Sequence, residues 1–124
     1  MFIYSQVFRK KLYLKKIYII AKVRVRINMT SLSQIQTTLS SHKTEFTDVF
    51  KVKTLAVFGS FARNEQRSDS DVDILVEFNS PVGIEFIDLG NYLERILNLR
   101  VDLVSRNGIK PKYFQQIECD LKYV

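Results

Sequence analysis

Two carboxylates near the middle of the chain have a spacing that suits metal chemistry. Asp71 and Asp73 flank one residue at the start of an apolar run, Val72 to Val76, that predicts a buried strand. Alternate residues of a strand point to the same face, so both carboxylates project together. Because adjacent carboxylates repel each other unless a cation lies between them, the pair fits Mg²⁺, which prefers oxygen ligands. As an isolated pattern, Asp-x-Asp more often marks a solvated loop or strand edge.

A glycine and a serine end the preceding apolar run, Leu55 to Phe58, and suit a phosphate. Gly59 lets the backbone approach a phosphate closely, and the amides of a following helical turn can donate to it together with the Ser60 hydroxyl. Arg63 lies one turn later, where its guanidinium could reach a triphosphate. The alternative is an ordinary strand-to-helix turn, in which Ser60 is only the N-cap and Arg63 an ordinary surface arginine.

A third carboxylate, Asp102, lies within the short apolar strand predicted at 101–104. A charge in a buried strand is costly unless it is paired or liganded, and a third carboxylate could complete a two-metal site. The alternative is an exposed strand end, with Asp102 paired to Arg100 or Arg106. Asp69 also has the i, i+2 spacing, but it falls in the polar loop 64–70 and is predicted to be a turn residue.

The elements that must position these side chains alternate along the chain from residue 30. Ser31 or Ser33 can cap a first helix, Pro111 suits the first turn of a last short helix to about Glu118, and residues 121–124 can add a strand end. The order α-β-α-β-α-β-α predicts an α/β domain with one sheet and helices packed on it. The apolar helix positions are Leu32, Ile35, Leu39, Phe46, Val49 and Phe50 in the first helix and Ile84, Ile87, Leu89, Leu93, Ile96 and Leu97 in the helix predicted at 83–97.

The positive charge of the chain is confined to its beginning. Residues 1–28 hold eight basic and no acidic residues, so the totals of 19 and 13 leave 11 basic and 13 acidic residues for 29–124, a formal charge of −2. This removes most of the charge argument for direct nucleic-acid binding. A single cysteine, Cys119, excludes a disulfide framework, fits a reducing cytoplasm, and is expected to be a small buried apolar residue.

Residues 1–28 form a basic N-terminal extension to the domain predicted at 29–124. Its apolar run 17–21 is far shorter than the roughly 20 residues of a membrane span, and no signal-peptide pattern is present. Two interpretations remain open. The segment is either a basic arm, because 22–27 alternates like an edge strand with a cationic face, or an upstream extension of a reading frame whose start is Met29. We favour the second, because composition changes abruptly at that residue.

Taken together, the motifs resemble the nucleotidyltransferase superfamily typified by DNA polymerase β. Ten residues separate Gly59-Ser60 from Asp71-Val72-Asp73, and Asp102 follows 29 residues after Asp73. The stretches FGSFARNEQRSDSDVDILVEF and VDLVSRNGIKP are similar to the minimal nucleotidyltransferase (MNT) group of small prokaryotic proteins. The resemblance covers about residues 31–124. Asn64 departs from the group, which often has glycine there, but asparagine tolerates the left-handed backbone nearly as well.

The resemblance implies a fold, a cofactor and a role for each site residue. The implied fold is a small mixed β-sheet flanked by helices. The implied cofactor is a pair of Mg²⁺ ions, and the implied substrate is ATP or another nucleoside triphosphate. Asp71 and Asp73 are expected to bind the metals, and Asp102 to join them and help deprotonate or position the attacking hydroxyl. Gly59 and Ser60 are expected to hold the β and γ phosphates, with Arg63 nearby.

The resemblance also implies a partner. Larger relatives append an acceptor-binding domain, for which this chain has no room, so the acceptor is expected to be small or to belong to another chain. Similar prokaryotic proteins are antitoxins of type VII pairs that transfer AMP from ATP to a tyrosine hydroxyl of a HEPN-domain ribonuclease toxin. Two alternatives remain: a small-molecule nucleotidyltransferase like the aminoglycoside enzymes, and a non-catalytic antitoxin that acts by occlusion. Neither direct nucleic-acid nor membrane binding is expected.

Overall fold

The computed structural model describes residues 30–124, so the predicted extension at 1–28 lies outside the described residues. Residues 31–124 form one compact unit. Its helices are α1 (Leu32–Ser41), α2 (Lys43–Asp48), α3 (Gly59–Ala62), α4 (Ile84–Leu97) and α5 (Pro111–Ile117), followed by a 3-10 turn (Glu118–Asp120). Its strands are β1 (Val52–Phe58), β2 (Val72–Phe78), β3 (Val101–Ser105) and β4 (Lys122–Tyr123).

The four strands form one mixed sheet in the order β3-β2-β1-β4. β1 pairs antiparallel with β2 and with β4, whereas β2 pairs parallel with β3. The parallel pair follows from the connection, because a helix between two strands carries the chain back to the end where the first strand began, and α4 does this here. The predicted α/β class and the small mixed sheet flanked by helices are therefore confirmed.

The main core lies on the sheet face that α1, α2 and α4 cover. The buried side chains of β1 and β2 on this face alternate in sequence, as a half-buried strand requires, and they meet apolar residues of the three helices. Every one of these positions is shielded almost completely from solvent. The fully buried members are Ile35, Leu39, Val57, Val72, Ile74, Val76, Leu89 and Leu93.

The predicted first helix is divided into two, α1 and α2. At the break, the Ser41 hydroxyl donates to the Thr38 carbonyl at 2.7 Å, and Nδ1 of His42 lies 2.9 Å from the same oxygen. The His42 amide bonds Leu39 instead, which tightens the last turn of α1. Side chains that take a backbone carbonyl compete with the helix in this way. Because the break changes the period, Val49 is 61% exposed, and its predicted place on the buried face is wrong.

The start of α1 carries a capping box at Ser31. The Ser31 hydroxyl accepts from the Gln34 amide at 3.2 Å, and the Gln34 side chain accepts from the Ser31 amide at 2.8 Å. This confirms Ser31, of the two predicted candidates, as the cap. Ser31→Ala is expected to lower the free energy of unfolding by about 1 kcal/mol. Urea denaturation measures the loss. Ser33→Ala is the matched control, because Ser33 is exposed two residues later in the same turn, and this variant should leave the midpoint unchanged.

Helix α4 buries only part of the apolar stripe that was predicted. Leu89 and Leu93 are fully buried, but Ile84 and Ile87 are 64% and 58% exposed, so their expected burial against the sheet is wrong. They lie in the first turn on either side of Phe86, which is the residue of this turn that packs against Phe78 of β2. Asn98 ends α4 in the left-handed conformation, with its amide bonded to Glu94. No helix within residues 30–124 has both the length and the apolar character needed to span a membrane.

The C-terminal residues add a short edge strand next to β1. Lys122 pairs with Val57 and Tyr123 with Ala56, and the Val124 amide donates to the Leu55 carbonyl at 3.0 Å. The predicted strand end at 121–124 is thus confirmed. Cys119, which lies in the preceding 3-10 turn, is exposed, so the expectation of a buried cysteine is wrong.

Candidate active site

The carboxylates predicted to do chemistry meet where β1, β2 and β3 lie side by side. Asp73 is the direct neighbour of Asp102 in the parallel pair and of Phe58 in the antiparallel pair. Neighbouring residues of a sheet point to the same face, so the two carboxylates project together from the face opposite the main core. Residues 29 positions apart in the sequence are therefore brought together by the register of β3 against β2.

The burial argument for Asp102 is wrong, although its predicted position in a strand is right. β3 is an edge of the sheet and Asp102 is exposed, so desolvation alone does not demand a ligand there. The alternative partners are not used either. Arg100 pairs with Asp71, and Arg106 lies over the ring of Phe114, 3.8 Å from its centroid. Asp102 takes part in none of the ion pairs within residues 30–124 and keeps Asp73 as its charged neighbour.

Gly59 lets the backbone pass directly beside Asp73. Its φ is +74°, in the left-handed region that favours glycine. A Cβ at this position would collide with Oδ2 of Asp73 and lie 3.0 Å from its Cγ. The short helix α3 begins at Gly59 itself, so the N-cap position belongs to Phe58 and the prediction of Ser60 as N-cap is wrong. Ser60 lies in the first turn, where helix amides have no acceptor within the helix.

Asp71, Asp73 and Asp102 form an acidic group, and its electrostatics centre on Asp73. Partial burial, the charges of Asp102 and Asp71, and a hydrogen bond with Asp102 together raise the pKa of Asp73 from 3.8 to about 6, while Arg63 opposes the shift. Both burial and like charge disfavour the ionised form, so the group as folded carries unfavourable negative charge. A cation bound between the carboxylates would relieve this repulsion.

Asp71 lies at the exposed rim of the site, directly before the first residue of β2. Its Oδ1 forms an ion pair with Nε of Arg100 at 3.0 Å, and the Arg100 carbonyl accepts from the Val72 amide at 2.8 Å. The Arg100 side chain is 76% exposed, and an ion pair so exposed to solvent is weak and easily exchanged. Asp69 lies in a turn closed by the Ser70 amide on the Arg67 carbonyl, as predicted for this residue.

Arg63 is near the carboxylates but already has two acidic partners. Nη1 bonds Oδ2 of Asp120 at 2.6 Å, and Nε bonds Oε1 of Glu65 at 3.0 Å, which raises the pKa of Arg63. The next residue, Asn64, has a φ of +60°, so asparagine does adopt the left-handed backbone there. The local sequence gave no signal for Asp120, because 57 residues separate it from Arg63.

The chemistry of the donor set fits a hard divalent cation. Asp73 of β2 and Asp102 of β3 both offer carboxylate oxygens, and Gly59 leaves the space beside Asp73 free of a Cβ. Within residues 30–124, no three His, Cys, Asp or Glu side chains form a group that could hold a metal by themselves. Phosphate oxygens of a substrate would therefore have to complete the coordination, as is usual for Mg²⁺.

Comparison with known families decides what kind of site this is. The model of the nucleotidyltransferase domain matches residues 39–123, which include every residue of the acidic group, the glycine and the arginine. The chain belongs to the nucleotidyltransferase domain family. A nucleotidyltransferase domain transfers a nucleoside monophosphate group. This reaction brings metal-binding carboxylates and substrate phosphates together, and the acidic group next to Gly59 supplies carboxylates of this kind.

Individual relatives support the same family and fold. A Thermococcus cleftensis protein named protein adenylyltransferase MntA is 42% identical over 97 residues, which cover 77% of this chain and 98% of that protein. A solved minimal nucleotidyltransferase is 30% identical with a TM-score of 0.61, covering 77% of this chain and 97% of that one. A chain from a complex of a tri-AMPylated Shewanella oneidensis HEPN toxin with an MNT antitoxin is 23% identical, with a TM-score of 0.54 and coverage of 72% and 70%. The last likeness shows the fold alone.

Proposed function

We propose that this nucleotidyltransferase domain transfers AMP from ATP to a tyrosine hydroxyl of a HEPN-domain toxin, and so acts as the antitoxin of the pair. The observation that carries the proposal is the placement of Asp73 opposite Asp102 and against Gly59, because it brings two carboxylates next to a point where the backbone can be approached closely. The 42% identity to a protein adenylyltransferase supports protein as the acceptor class. We propose residues 29–124 as the domain that carries this activity.

In the proposed mechanism, Asp71 and Asp73 would hold Mg²⁺, and Asp102 would share it. The bound ions would supply charge neutralisation for the phosphates and for the pyrophosphate that leaves. Gly59 and Ser60 would hold the β and γ phosphates through backbone amides and the serine hydroxyl, because the missing Cβ allows close approach. The negative charge that raises the pKa of Asp73 would then be balanced by the cation.

The chemical step is a substitution at the α phosphorus of ATP. The tyrosine oxygen forms the new P–O bond, and the bond between the α phosphorus and the bridging oxygen of pyrophosphate breaks. The phenolic proton passes to a carboxylate, and Asp102 is the candidate because it is exposed to an incoming acceptor and takes part in no ion pair of residues 30–124. The products are the adenylylated tyrosine and pyrophosphate.

The test combines the protein, Mg²⁺ and labelled ATP with the co-expressed toxin. Label on the α phosphate should move to the toxin, whereas label on the γ phosphate should not, because the γ phosphate leaves with pyrophosphate. A toxin in which the modified tyrosine is replaced by phenylalanine should take up no label. Neutralisation of the toxin without any α-label transfer would overturn adenylylation in favour of occlusion. Transfer to an aminoglycoside but not to the toxin would favour a small-molecule enzyme.

A further inference from the structure

The C-terminal 3-10 turn reaches the candidate site through one ion pair. Asp120, at the end of this turn, accepts from Nη1 of Arg63 at 2.6 Å, which is short even for a charge-assisted hydrogen bond. Glu65 accepts from Nε of the same guanidinium at 3.0 Å. Arg63 in turn acts on the charge of Asp73. The Asp120 carboxylate therefore holds the Arg63 guanidinium near Asp73.

Asp120 is the better anchored of the two acidic partners. Its side chain is 21% exposed, compared with 66% for Glu65, so its bond is less screened by solvent. Its backbone is also held, since the 3-10 turn leads directly into β4. There Lys122 pairs with Val57, two residues before Gly59. The antiparallel pairing of β4 with β1 thus fixes Asp120 at the end of the sheet where the glycine lies.

The guanidinium of Arg63 has donors left after these two bonds. An arginine carries five N–H donors in a planar fork, and the bonds to Asp120 and Glu65 occupy two of them. Bonds at two different nitrogens fix the plane of the fork, and the bond to Asp120 is the less exposed of the two, so Asp120 helps to set the directions of the remaining donors. A fixed fork suits phosphate oxygens, which accept two parallel bonds from one guanidinium.

We propose that Asp120 is a positioning residue of the site, whose carboxylate holds the Arg63 guanidinium in place to bind the triphosphate of the nucleotide. This inference rests on the proposed function and adds a residue that the Gly-Ser and Asp-x-Asp motifs do not include. It assigns the C-terminal turn a part in nucleotide binding.

The sign of one measurement separates positioning from simple charge. Asp120→Asn removes a negative charge, so electrostatics alone would predict tighter binding of a polyanion. Positioning predicts the reverse. We expect the affinity for a non-hydrolysable ATP analogue, measured with Mg²⁺, to fall about five- to tenfold, which is the usual effect of losing one hydrogen bond. The KM for ATP should rise in parallel, while kcat at saturation changes less than about twofold, because Asp120 does not touch the reacting atoms.

A double-mutant cycle shows whether Asp120 acts through Arg63. In an Arg63→Met background, Asp120→Asn should have no further effect on affinity, because the group that it positions is absent. Asp120→Glu keeps the carboxylate and should recover most of the lost affinity. Glu118→Gln is the matched control, because Glu118 is exposed in the same turn and takes part in none of the ion pairs of residues 30–124.

Each outcome bears on a separate claim. Unchanged or tighter analogue binding by Asp120→Asn, or an undiminished effect in the Arg63→Met background, overturns the role of Asp120 and leaves the proposed function standing. A wild-type protein that binds no ATP analogue overturns both. If Asp120→Asn loses cooperative unfolding, Arg63→Lys replaces it. Lysine keeps the charge but lacks the fork, so affinity should fall to a similar extent, and unchanged affinity would overturn the proposal.

Discussion

Asp73→Asn is expected to abolish nucleotidyl transfer while it stabilises the metal-free protein at neutral pH. Loss of a residue that only orients a metal ligand costs about 10- to 100-fold, so loss of the proposed ligand itself should cost at least about 100-fold. Asparagine keeps the shape of the side chain next to Gly59 but removes the charge that Asp102 and Asp71 oppose. The aspartate at position 73 would thus serve the reaction while it lowers the stability of the fold.

The pH dependence of unfolding gives the sign of this cost. The pKa of Asp73 is raised from 3.8 to about 6 by burial and by the two neighbouring carboxylates. The folded protein therefore binds this proton more tightly than the unfolded chain. The stabilisation that comes from protonated Asp73 is fully present below about pH 4 and is lost as pH rises through 6. In the metal-free protein the loss should amount to about 1 kcal/mol, because the half-exposed carboxylate is partly screened by solvent.

Urea denaturation at several pH values, without and with Mg²⁺, measures both parts of this prediction. The wild-type protein should lose stability between pH 4 and pH 7, the Asp73→Asn protein should lose less, and Mg²⁺ should stabilise only the wild type. Asp69→Asn is the matched control, since Asp69 is an exposed turn residue on the same segment. Transfer by Asp73→Asn at the wild-type rate would remove Asp73 from the mechanism.

The parts of the fold that the sequence predicts are those with a local signal. The apolar runs ending at Phe58 and beginning at Val72 could be predicted as strands because both are short and are bounded by turn residues. The site was predicted for a related reason. Asp71, Asp73 and the Gly-Ser pair lie at strand ends, so their positions in the fold follow once the strands are placed.

The parts that the sequence did not predict depend on side-chain hydrogen bonds that leave no periodic signal or on contacts across the fold. The break at His42 arises when two side chains compete for the Thr38 carbonyl, and no periodicity records such a competition. The exposure of Asp102 depends on β3 being an edge strand, which is a property of sheet order and not of the strand. The bond between Arg63 and Asp120 depends on the pairing of β4 with β1, which brings two residues 57 positions apart together.

Gly59→Ala is expected to damage both the fold and the site. Alanine at a φ of +74° costs about 1–2 kcal/mol, because an L side chain is crowded in the left-handed region. Its Cβ would also collide with Oδ2 of Asp73. The atoms that this Cβ would meet all belong to the Asp73 side chain, so the protein can fold by moving that carboxylate. A displacement of about 1 Å of a catalytic group costs about 100-fold in rate, and transfer should fall by that factor.

Gly83→Ala separates this effect from a general cost of replacing glycine. A Cβ at Gly83 would meet nothing within 4 Å, but its ψ of −99° lies outside the main regions open to alanine, so this variant has a backbone cost without a clash in the site. This variant should have a lower unfolding midpoint but keep the wild-type transfer rate wherever it is folded. In Gly59→Ala, the rate should stay low at saturating ATP, even under conditions where thermal unfolding shows the protein to be fully folded. A rate that returns to the wild-type value once folding is complete would mean that the glycine serves the backbone only, and that the carboxylate can move without consequence for the reaction.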